Sequence, residues 1–380
     1  MPKRHEMISR PPVHILPLLL LPVLIGCGPS APPPPAPLSN DALAAVVEHP
    51  GVVRESLARA IDELFTDEAA GETRGLMVLH NGKIAAERYG PGYDRHTRFL
   101  GWSMSKCVTG VMIGQLVADG RLKLDESPPI PAWQRPGDPR GAITLRHLLQ
   151  MRSGLKHSET AAPLYEADTV RMLYLDGRDD MAAYAEAQPL VAAPGAGMTY
   201  STATSVILAD LAARVLSPST DPELRRKAVS TYLRTRLFEP LALRSMVGEY
   251  DAAGTLVGGS LFSATARDWG RFGEFFRNGG TVKGAQIVPR GWISFMTSPS
   301  PANPGYGAQL WLNHPQPSGK RVLMPGQAPA DLFACIGHRG QYVLVSPSQH
   351  LTVVRLGLSE EERKAVLDRL AAVLRVFPKE

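Results

Sequence analysis

Hydrophobic residues recur at helical spacing at both ends of the globular part of the chain. Residues 52–65 carry an apolar side chain at every third or fourth position: Val53, Leu57, Ile61 and Leu64. This spacing predicts an amphipathic helix. The segment 360–377 has the same spacing and predicts a second helix of the same kind. Predicted helices therefore bracket the globular part of the chain.

Short apolar runs lie beside each predicted helix. LMVLH and KIAAERY are joined by Asn81-Gly82, a pair that tolerates the positive φ angles of a type I′ hairpin turn. Near the other end, YVLVS (342–346) and LTVVRLG (351–357) flank a Pro-Ser-Gln turn, which predicts two more strands. We expect three to five strands from the two ends to share one antiparallel sheet, with the terminal helices on one face. The middle of the chain, residues 103–300, should supply helices and loops, so the predicted fold class is α+β.

The first 27 residues have the pattern of an export signal. A basic start, MPKRHEMISR, precedes an apolar stretch that Pro17 and Pro22 interrupt, and Leu-Ile-Gly-Cys ends it. The stretch is too short and too broken for a membrane-spanning helix, and its ending is typical of a lipoprotein signal. We predict a signal peptide over 1–26, a lipidated Cys27 with a proline-rich tether over 27–50, and a globular domain over 51–380. The alternative is that Cys27 is a chance residue of an ordinary leader.

Composition narrows the possible partners. The chain has 380 residues, 44% of them apolar and 20% charged, with a net charge of +5, so it is globular and too weakly basic to predict nucleic-acid binding. Cys107 and Cys335 lack the spacing of a zinc site, and they either pair in an oxidising compartment or stay as buried thiols. We expect a small-molecule substrate, a membrane contact only through the lipid anchor, and no metal or cofactor.

A buried helix in the middle of the chain begins with an unexpected polar segment. Residues 104–119 are nearly all apolar and end at Gly120, which is typical of a helix C-terminus. Ser103 and Lys106 lie one turn apart at its start, so the amine can reach the hydroxyl. A desolvated lysine at this position can serve as the base that a nucleophilic serine needs. The alternative is that Ser103 only caps the helix.

A second serine and lysine have the same spacing. Ser153-Gly154-Leu155-Lys156 repeats the pattern, but the glycine after the serine favours a turn and no apolar helix follows. We therefore expect Ser153 to have no catalytic role.

Three segments, in their order along the chain, carry a family resemblance. They are SMSK (103–106), PGAGMTYST with Tyr200-Ser201-Thr202, and GHRGQ with His338-Arg339-Gly340 before YVLVS. This order resembles the serine β-lactamase and penicillin-binding-protein superfamily, closest to its class C-like branch with esterases and 6-aminohexanoate-dimer hydrolases. The segments DGRLKLDE, ITLRHLLQMRSGL and GGSLFSATARDWGRFGEFF also resemble that branch. The likeness extends from about residue 54 to 376 and implies a β-lactamase/D,D-peptidase-like fold with a mostly helical middle subdomain.

The resemblance implies a role for each motif. Ser103 would be the nucleophile, Lys106 its proton partner, and Tyr200 the hydroxyl that shuttles a proton to the leaving group; the alternative for Tyr200 is a core tyrosine. The backbone N–H groups of Ser103 and Gln341 would form the oxyanion hole. His338 and Gly340, in the third motif, would line the substrate site.

Two departures from the superfamily pattern bear on the substrate. Thr202 stands where β-lactamases usually have Asn, and His338 stands where penicillin-recognising members usually have Lys. An imidazole is mostly neutral near pH 7, and we expect Arg339 to point to the other face of a strand, so carboxylate recognition is disfavoured. We therefore predict a hydrolase that cleaves an ester or a small amide through an acyl-enzyme on Ser103. The alternatives are a β-lactamase or D,D-peptidase, and a non-catalytic sensor of peptidoglycan or β-lactams.

Overall fold

The computed structural model describes residues 37–360 and 363–379. The signal peptide, Cys27 and the first part of the proposed tether, residues 28–36, lie outside the described residues. The helices are α1 (Asn40–Ala44), α2 (Arg54–Thr66), α3 (Ser105–Ala118), α4 (Leu145–Leu149), α5 (Asp168–Tyr174), α6 (Met181–Glu186), α7 (Thr202–Leu216), α8 (Pro222–Leu233), α9 (Ala266–Arg277), α10 (Arg290–Met296) and α11 (Lys364–Arg375). The strands are β1 (Glu72–His80), β2 (Lys83–Tyr89), β3 (Phe99–Leu100), β4 (Val247–Gly248), β5 (Phe262–Ala264), β6 (Thr281–Val282), β7 (Ala285–Gln286), β8 (Trp311–Leu312), β9 (Phe333–Gly337), β10 (Gln341–Ser346) and β11 (Leu351–Leu358).

Strands from both ends of the chain form the main sheet. Its order is β2-β1-β11-β10-β9-β8, and β1 pairs antiparallel with both β2 and β11. The turn between β1 and β2 contains Asn81 and Gly82 at φ 51° and 75°, the positive values that a type I′ turn requires. The α+β fold and the shared antiparallel sheet are therefore confirmed.

Side chains alternate between the two faces of this sheet. On β1, Leu76 and Val78 are buried in a cluster with the apolar residues of α2 and α11, so the terminal helices cover one face as predicted. Met77 belongs to the other cluster, which includes the aromatic residues of α9. Helix α9 lies close to the sheet because Gly273 faces it: an added Cβ there would come within 2.5 Å of Thr352.

The central helices α3 and α7 pack against each other. Nearly every residue of α3 from Ser105 to Leu116 is buried, and α7 is buried from Thr202 to Ala213. A helix that is apolar on all sides must lie inside the protein, and this explains why α3 lacks an amphipathic pattern. The motifs SMSK and TYST lie at the N-terminal ends of these two helices.

The sheet is larger than the sequence predicts. It has six strands among the described residues, whereas we expected three to five. The pattern missed β8 and β9 because β8 has only two residues and β9, FACIG, runs directly into the motif GHRGQ. The triplet His338-Arg339-Gly340 forms the turn between β9 and β10, with Arg339 at φ 56°, so the expected place of Arg339 on a strand is wrong.

The folded domain begins inside the segment 27–50 that the sequence assigns to the tether. The compact unit starts at Leu38, and Ala42 on α1 is fully buried in the cluster around α2. Val47 donates a backbone hydrogen bond to Ala85 on β2. The segment 38–50 therefore folds with the domain. Its helix of five residues is too short to give a recognisable hydrophobic period.

A disulfide joins the two central cysteines. Cys107 on α3 and Cys335 on β9 are bonded, with Cα atoms 6.1 Å apart and 228 residues between them in sequence. The sequence left this pairing open. Within the described ranges, no helix is long and apolar enough to cross a bilayer.

Candidate active site

Ser103 lies in a tight turn that leads into α3. Residues Trp102–Met104 form one turn of 3₁₀-helix, and Trp102 has a φ of 48°, a conformation that is unfavourable for a bulky residue and is found at functional sites. The residue before Trp102 is Gly101, and a side chain would not fit there because an added Cβ would come within 2.4 Å of the Trp269 ring. Ser103 itself is partly exposed, so its hydroxyl is accessible at the head of a buried helix.

Lys106 lies one turn further along and is 1% exposed. Its Nζ donates to Ser103 Oγ at 3.1 Å, to Thr202 Oγ1 at 2.9 Å and to the carbonyl oxygen of Gly259 at 2.8 Å. Burial penalises the ammonium form and lowers the pKa of Lys106 to about 8, although the negative charge of Glu159 opposes that change. Lys106 is thus partly neutral at mildly alkaline pH, as a general base for Ser103 requires.

Tyr200 lies just before α7 and faces the same serine. Its ring stacks on Trp311 at 5.3 Å, and Lys106 Nζ is 5.0 Å from the ring centroid. Burial raises the pKa of Tyr200, and the charge of Glu159 raises it further, while the nearby Ser103 hydroxyl lowers it. Tyr200 is therefore a protonated phenol near neutral pH.

The carboxylate of Glu159, which no sequence motif indicates, hydrogen-bonds Thr202 beside Lys106. The Thr202 hydroxyl donates to Glu159 Oε1 at 2.5 Å, and the Thr202 backbone N–H donates to Oε2 at 3.0 Å. His157 Nε2 lies 2.7 Å from Oε2, and the Thr169 hydroxyl donates to the same oxygen at 2.7 Å. Burial alone would raise the pKa of Glu159, but the hydrogen bond with His157, the charge of Lys106 and the hydrogen bond from Thr169 outweigh it and lower the pKa to about 2. Glu159 is therefore ionised.

The third motif borders the site from the sheet side. The His338 ring contacts the Trp102 ring at a centroid distance of 5.5 Å, which places the β9–β10 turn beside the turn that contains Ser103. Gly340 lies at φ 85°, and its carbonyl accepts a hydrogen bond from the buried Arg355 at 2.8 Å. Gly340 thus shapes the turn, and its contact with substrate stays a prediction.

Gln341 begins β10 opposite Gly337. Its side chain donates to the Gly357 carbonyl at 2.6 Å and accepts from the Gly357 N–H at 3.0 Å, so the amide ties β10 to β11. The oxyanion role of its backbone N–H stays a prediction. A cavity of about 500 Å³ lies beside the turn, and its lining includes Trp102, His338, Arg339 and Gln341.

The second serine–lysine pair is not arranged for catalysis. The Ser153 hydroxyl accepts a hydrogen bond from the Leu155 N–H at 3.2 Å, which stabilises a local turn. Lys156 is exposed and lies 3.5 Å from Asp168. The pair therefore has structural contacts of its own, as its turn-forming glycine predicts.

Sequence reasoning missed Glu159 and the Gly259 carbonyl. Gly259 lies in the segment GGSLFS that carried part of the resemblance, but a backbone acceptor has no side-chain signature. Glu159 is 43 residues from Thr202 in sequence and lies in a loop without periodic pattern. Its only signal is the short sequence His157-Ser158-Glu159, which is too common to indicate a site. No group of three or more possible metal ligands occurs within the described ranges.

Comparison with known proteins identifies the family of the chain. Residues 53–375 match the family model described as Beta-lactamase. The 6-aminohexanoate-dimer hydrolase of Paenarthrobacter ureafaciens is 28% identical over 258 residues, which cover 66% of this chain and 63% of that protein. The chain thus spans less than two thirds of the length of this curated relative.

Two solved structures show the same fold. A family VIII carboxylesterase aligns with a TM-score of 0.61 at 15% identity, covering 85% of this chain and 97% of that one. A penicillin-binding-protein homologue from Caulobacter crescentus aligns with a TM-score of 0.56 at 17% identity, covering 89% and 99%. Because the family model spans most of the chain and the three motifs occur in the expected order, the chain belongs to the beta-lactamase family of serine hydrolases.

Proposed function

We propose that the protein is an envelope-located hydrolase that cleaves an ester or a small amide through an acyl-enzyme on Ser103. One observation carries the proposal: the Nζ of the buried Lys106 lies 3.1 Å from Ser103 Oγ. The Tyr200 ring centroid lies 5.0 Å from the same Nζ, so a phenol is also close to this pair. A serine with a base in contact with its hydroxyl and a proton donor nearby can perform acyl transfer.

The protonation states suggest how the proton moves. Neutral Lys106 accepts the Ser103 proton while Oγ bonds to the substrate carbonyl carbon. Tyr200, whose pKa burial raises, then donates its proton to the leaving oxygen or nitrogen as the bond to the acyl carbon breaks, and it regains a proton from the Lys106 ammonium. A water molecule hydrolyses the acyl-enzyme by the same steps in reverse order, which returns the proton to Ser103.

The surroundings of the third motif favour esters and amides over β-lactams. Both arginines in the lining of the adjacent cavity have carboxylate neighbours: Arg74 lies 2.6 Å from Glu72, and Arg339 lies 3.8 Å from Glu360. A β-lactam carboxylate would have to compete with these pairs. The similarity to a 6-aminohexanoate-dimer hydrolase adds linear amides to the candidate substrates.

A substrate panel tests this proposal. Purified protein should hydrolyse short-chain p-nitrophenyl esters or the linear 6-aminohexanoate dimer faster than nitrocefin. Efficient nitrocefin turnover would favour the β-lactamase or D,D-peptidase alternative. Failure of a fluorophosphonate probe to label Ser103 would favour the non-catalytic sensor. Ser103→Ala is the matched control for background labelling.

The envelope location rests on the N-terminal sequence and on the disulfide. Leu24-Ile25-Gly26-Cys27 resembles a lipoprotein processing site, and structural disulfides persist in oxidising compartments, as Cys107–Cys335 would. Cys27→Ser should move the protein from the membrane fraction to the soluble fraction of the source bacterium, because it removes the only proposed anchor. Retention of the variant in membranes would contradict the lipoprotein assignment.

A further inference from the structure

We infer that Glu159 is a positioning residue: acting through the Thr202 hydroxyl, it directs the lone pair of neutral Lys106 at Ser103. This inference rests on the proposed function, because it assigns the orientation of the base in the same reaction. Glu159 does not contact Ser103 and would not contact the reacting atoms.

The partners of Lys106 differ in the hydrogen bonds that they can make. The Gly259 carbonyl can only accept a hydrogen bond, whereas a threonine hydroxyl can both donate and accept. The Thr202 hydroxyl proton is directed to Glu159 Oε1, 2.5 Å away, and an ionised carboxylate cannot return a proton. Thr202 Oγ1 therefore presents only lone pairs to Lys106, 2.9 Å away.

The hydrogen bonds of Lys106 change when it loses a proton. Its ammonium has three N–H groups, which match the three acceptors Gly259 O, Thr202 Oγ1 and Ser103 Oγ. The neutral amine has two N–H groups and one lone pair. Since Gly259 and Thr202 accept only, they hold both N–H groups, and the lone pair is left facing the Ser103 hydroxyl.

This role also accounts for Thr202 at a position where β-lactamases usually have Asn. An Asn side-chain oxygen is an acceptor without assistance, whereas a hydroxyl needs its proton engaged elsewhere. Glu159 is itself fixed by His157, Thr169 and the Thr202 backbone N–H. The loop and α7 therefore hold Glu159 in one orientation.

Glu159 also affects the charge of Lys106. The groups that face Lys106 are Ser103 on its own turn, Tyr200 and Thr202 at the start of α7, the Gly259 carbonyl, and Glu159 with His157 behind it. Among these, the ionised Glu159 favours the ammonium form and opposes the effect of burial on the Lys106 pKa. Removing its charge should lower that pKa and extend activity to lower pH.

The test compares Glu159→Gln, Thr202→Val, Thr202→Ser and the double variant Glu159→Gln/Thr202→Val. The control, Glu166→Gln, removes the same charge at an exposed position. The measurement is the rate of Ser103 labelling by a fluorophosphonate from pH 5.5 to 10, with folding checked by circular dichroism. A gel assay of labelling needs no knowledge of the natural substrate.

We expect Glu159→Gln to lower the plateau rate roughly 10- to 100-fold, the effect of a misdirected group. We also expect it to move the midpoint of the acid limb about one pH unit lower. Thr202→Val should lower the plateau labelling rate by a similar factor, and Thr202→Ser should retain most of the labelling rate. The double variant should be no slower than the slower single variant, because both changes break one chain of contacts.

Several outcomes would overturn the inference while leaving the proposed function intact. They are a normal acid limb in Glu159→Gln, full activity in Thr202→Val, or additive losses in the double variant. Lack of labelling of the unmodified protein would instead contradict the proposed function. In that case, an NMR titration of the Lys106 side chain in the unmodified protein and in Glu159→Gln still tests the effect of Glu159, since the Lys106 pKa must fall in the variant. If Glu159→Gln does not fold, the labelling rates of Thr202→Val and Thr202→Ser decide the inference, because only the valine variant should be slow.

Discussion

Cys107 and Cys335 connect the two elements that border the nucleophile. Cys107 directly follows Lys106 on α3. Cys335 lies on β9, two residues before Gly337, where the strand ends and the turn to β10 begins. At Gly337, the last residue of β9, the backbone lies close to the turn before α3: an added Cβ would come within 2.2 Å of the Gly101 carbonyl oxygen. The disulfide therefore fixes the helix that carries Lys106 against the strand that leads to His338.

Removal of this disulfide should destabilise the protein. We expect the double variant Cys107→Ala/Cys335→Ala to lose roughly 2 to 5 kcal/mol of unfolding free energy, because a cross-link across a long loop restricts the unfolded chain. Denaturant unfolding with and without dithiothreitol measures the effect. The reductant should destabilise the unmodified protein and leave the variant unchanged. Equal stability of the two oxidised proteins would contradict the prediction.

The choice between the two serines is directly testable. Ser103→Ala should abolish covalent labelling and ester turnover with little change in melting temperature, because alanine fits the start of a helix and only the nucleophilic oxygen is lost. Ser153→Ala should leave turnover within about twofold, since its hydroxyl only stabilises a turn. Steady-state kinetics and calorimetry on both variants check this. Activity in the first variant, or its loss in the second, would show that the nucleophile is assigned to the wrong residue.

Tyr200→Phe should lower kcat by roughly 10² to 10⁴, the range for loss of one positioned acid/base group. The ring remains stacked on Trp311, so KM should change much less. The loss should be smaller for p-nitrophenyl esters than for amides, because p-nitrophenolate leaves without a proton. An unchanged kcat on amides would mean that Lys106 alone moves the protons.

The pH profile should follow the protonation of Lys106. Burial lowers its pKa to about 8, and only the neutral amine can accept the Ser103 proton. The labelling rate should therefore rise from pH 6, with a midpoint near pH 8, and level off above it. Lys106→Arg should be inactive across the range, because a guanidinium stays protonated. A flat profile between pH 6 and 9 would exclude Lys106 as the base.

Substrate preference should depend on His338. Its ring lies at the edge of Trp102, beside the nucleophile. His338→Lys should raise nitrocefin turnover relative to ester turnover, because a charge-assisted contact to a carboxylate contributes roughly 1.5 to 3 kcal/mol and a neutral donor about half as much. His338→Gln is the matched control without a charge. An equal ratio of nitrocefin to ester turnover in the two variants would show that this position does not bind the substrate carboxylate.

The sequence by itself determined the features that depend on local pattern. Asn81-Gly82 determined the first hairpin because only certain residues adopt positive φ angles readily. The spacing of Ser103 and Lys106 determined that their side chains share one helical face. The order of the three motifs carried the family resemblance, and each motif is itself a run of a few neighbouring residues.

Only the tertiary structure decided which distant groups meet. Glu159 and Thr202 are separated by 43 residues, and Cys107 and Cys335 by 228, so no local period links them. Strand β9 was missed for the same reason: its five buried residues acquire strand geometry from pairing with β10 and β8, not from an alternating pattern. The turn at His338-Arg339-Gly340 follows from that pairing. The contact between Ser103 and Lys106 could thus be predicted from their spacing in sequence, whereas the other groups around Lys106 are brought there by chain packing.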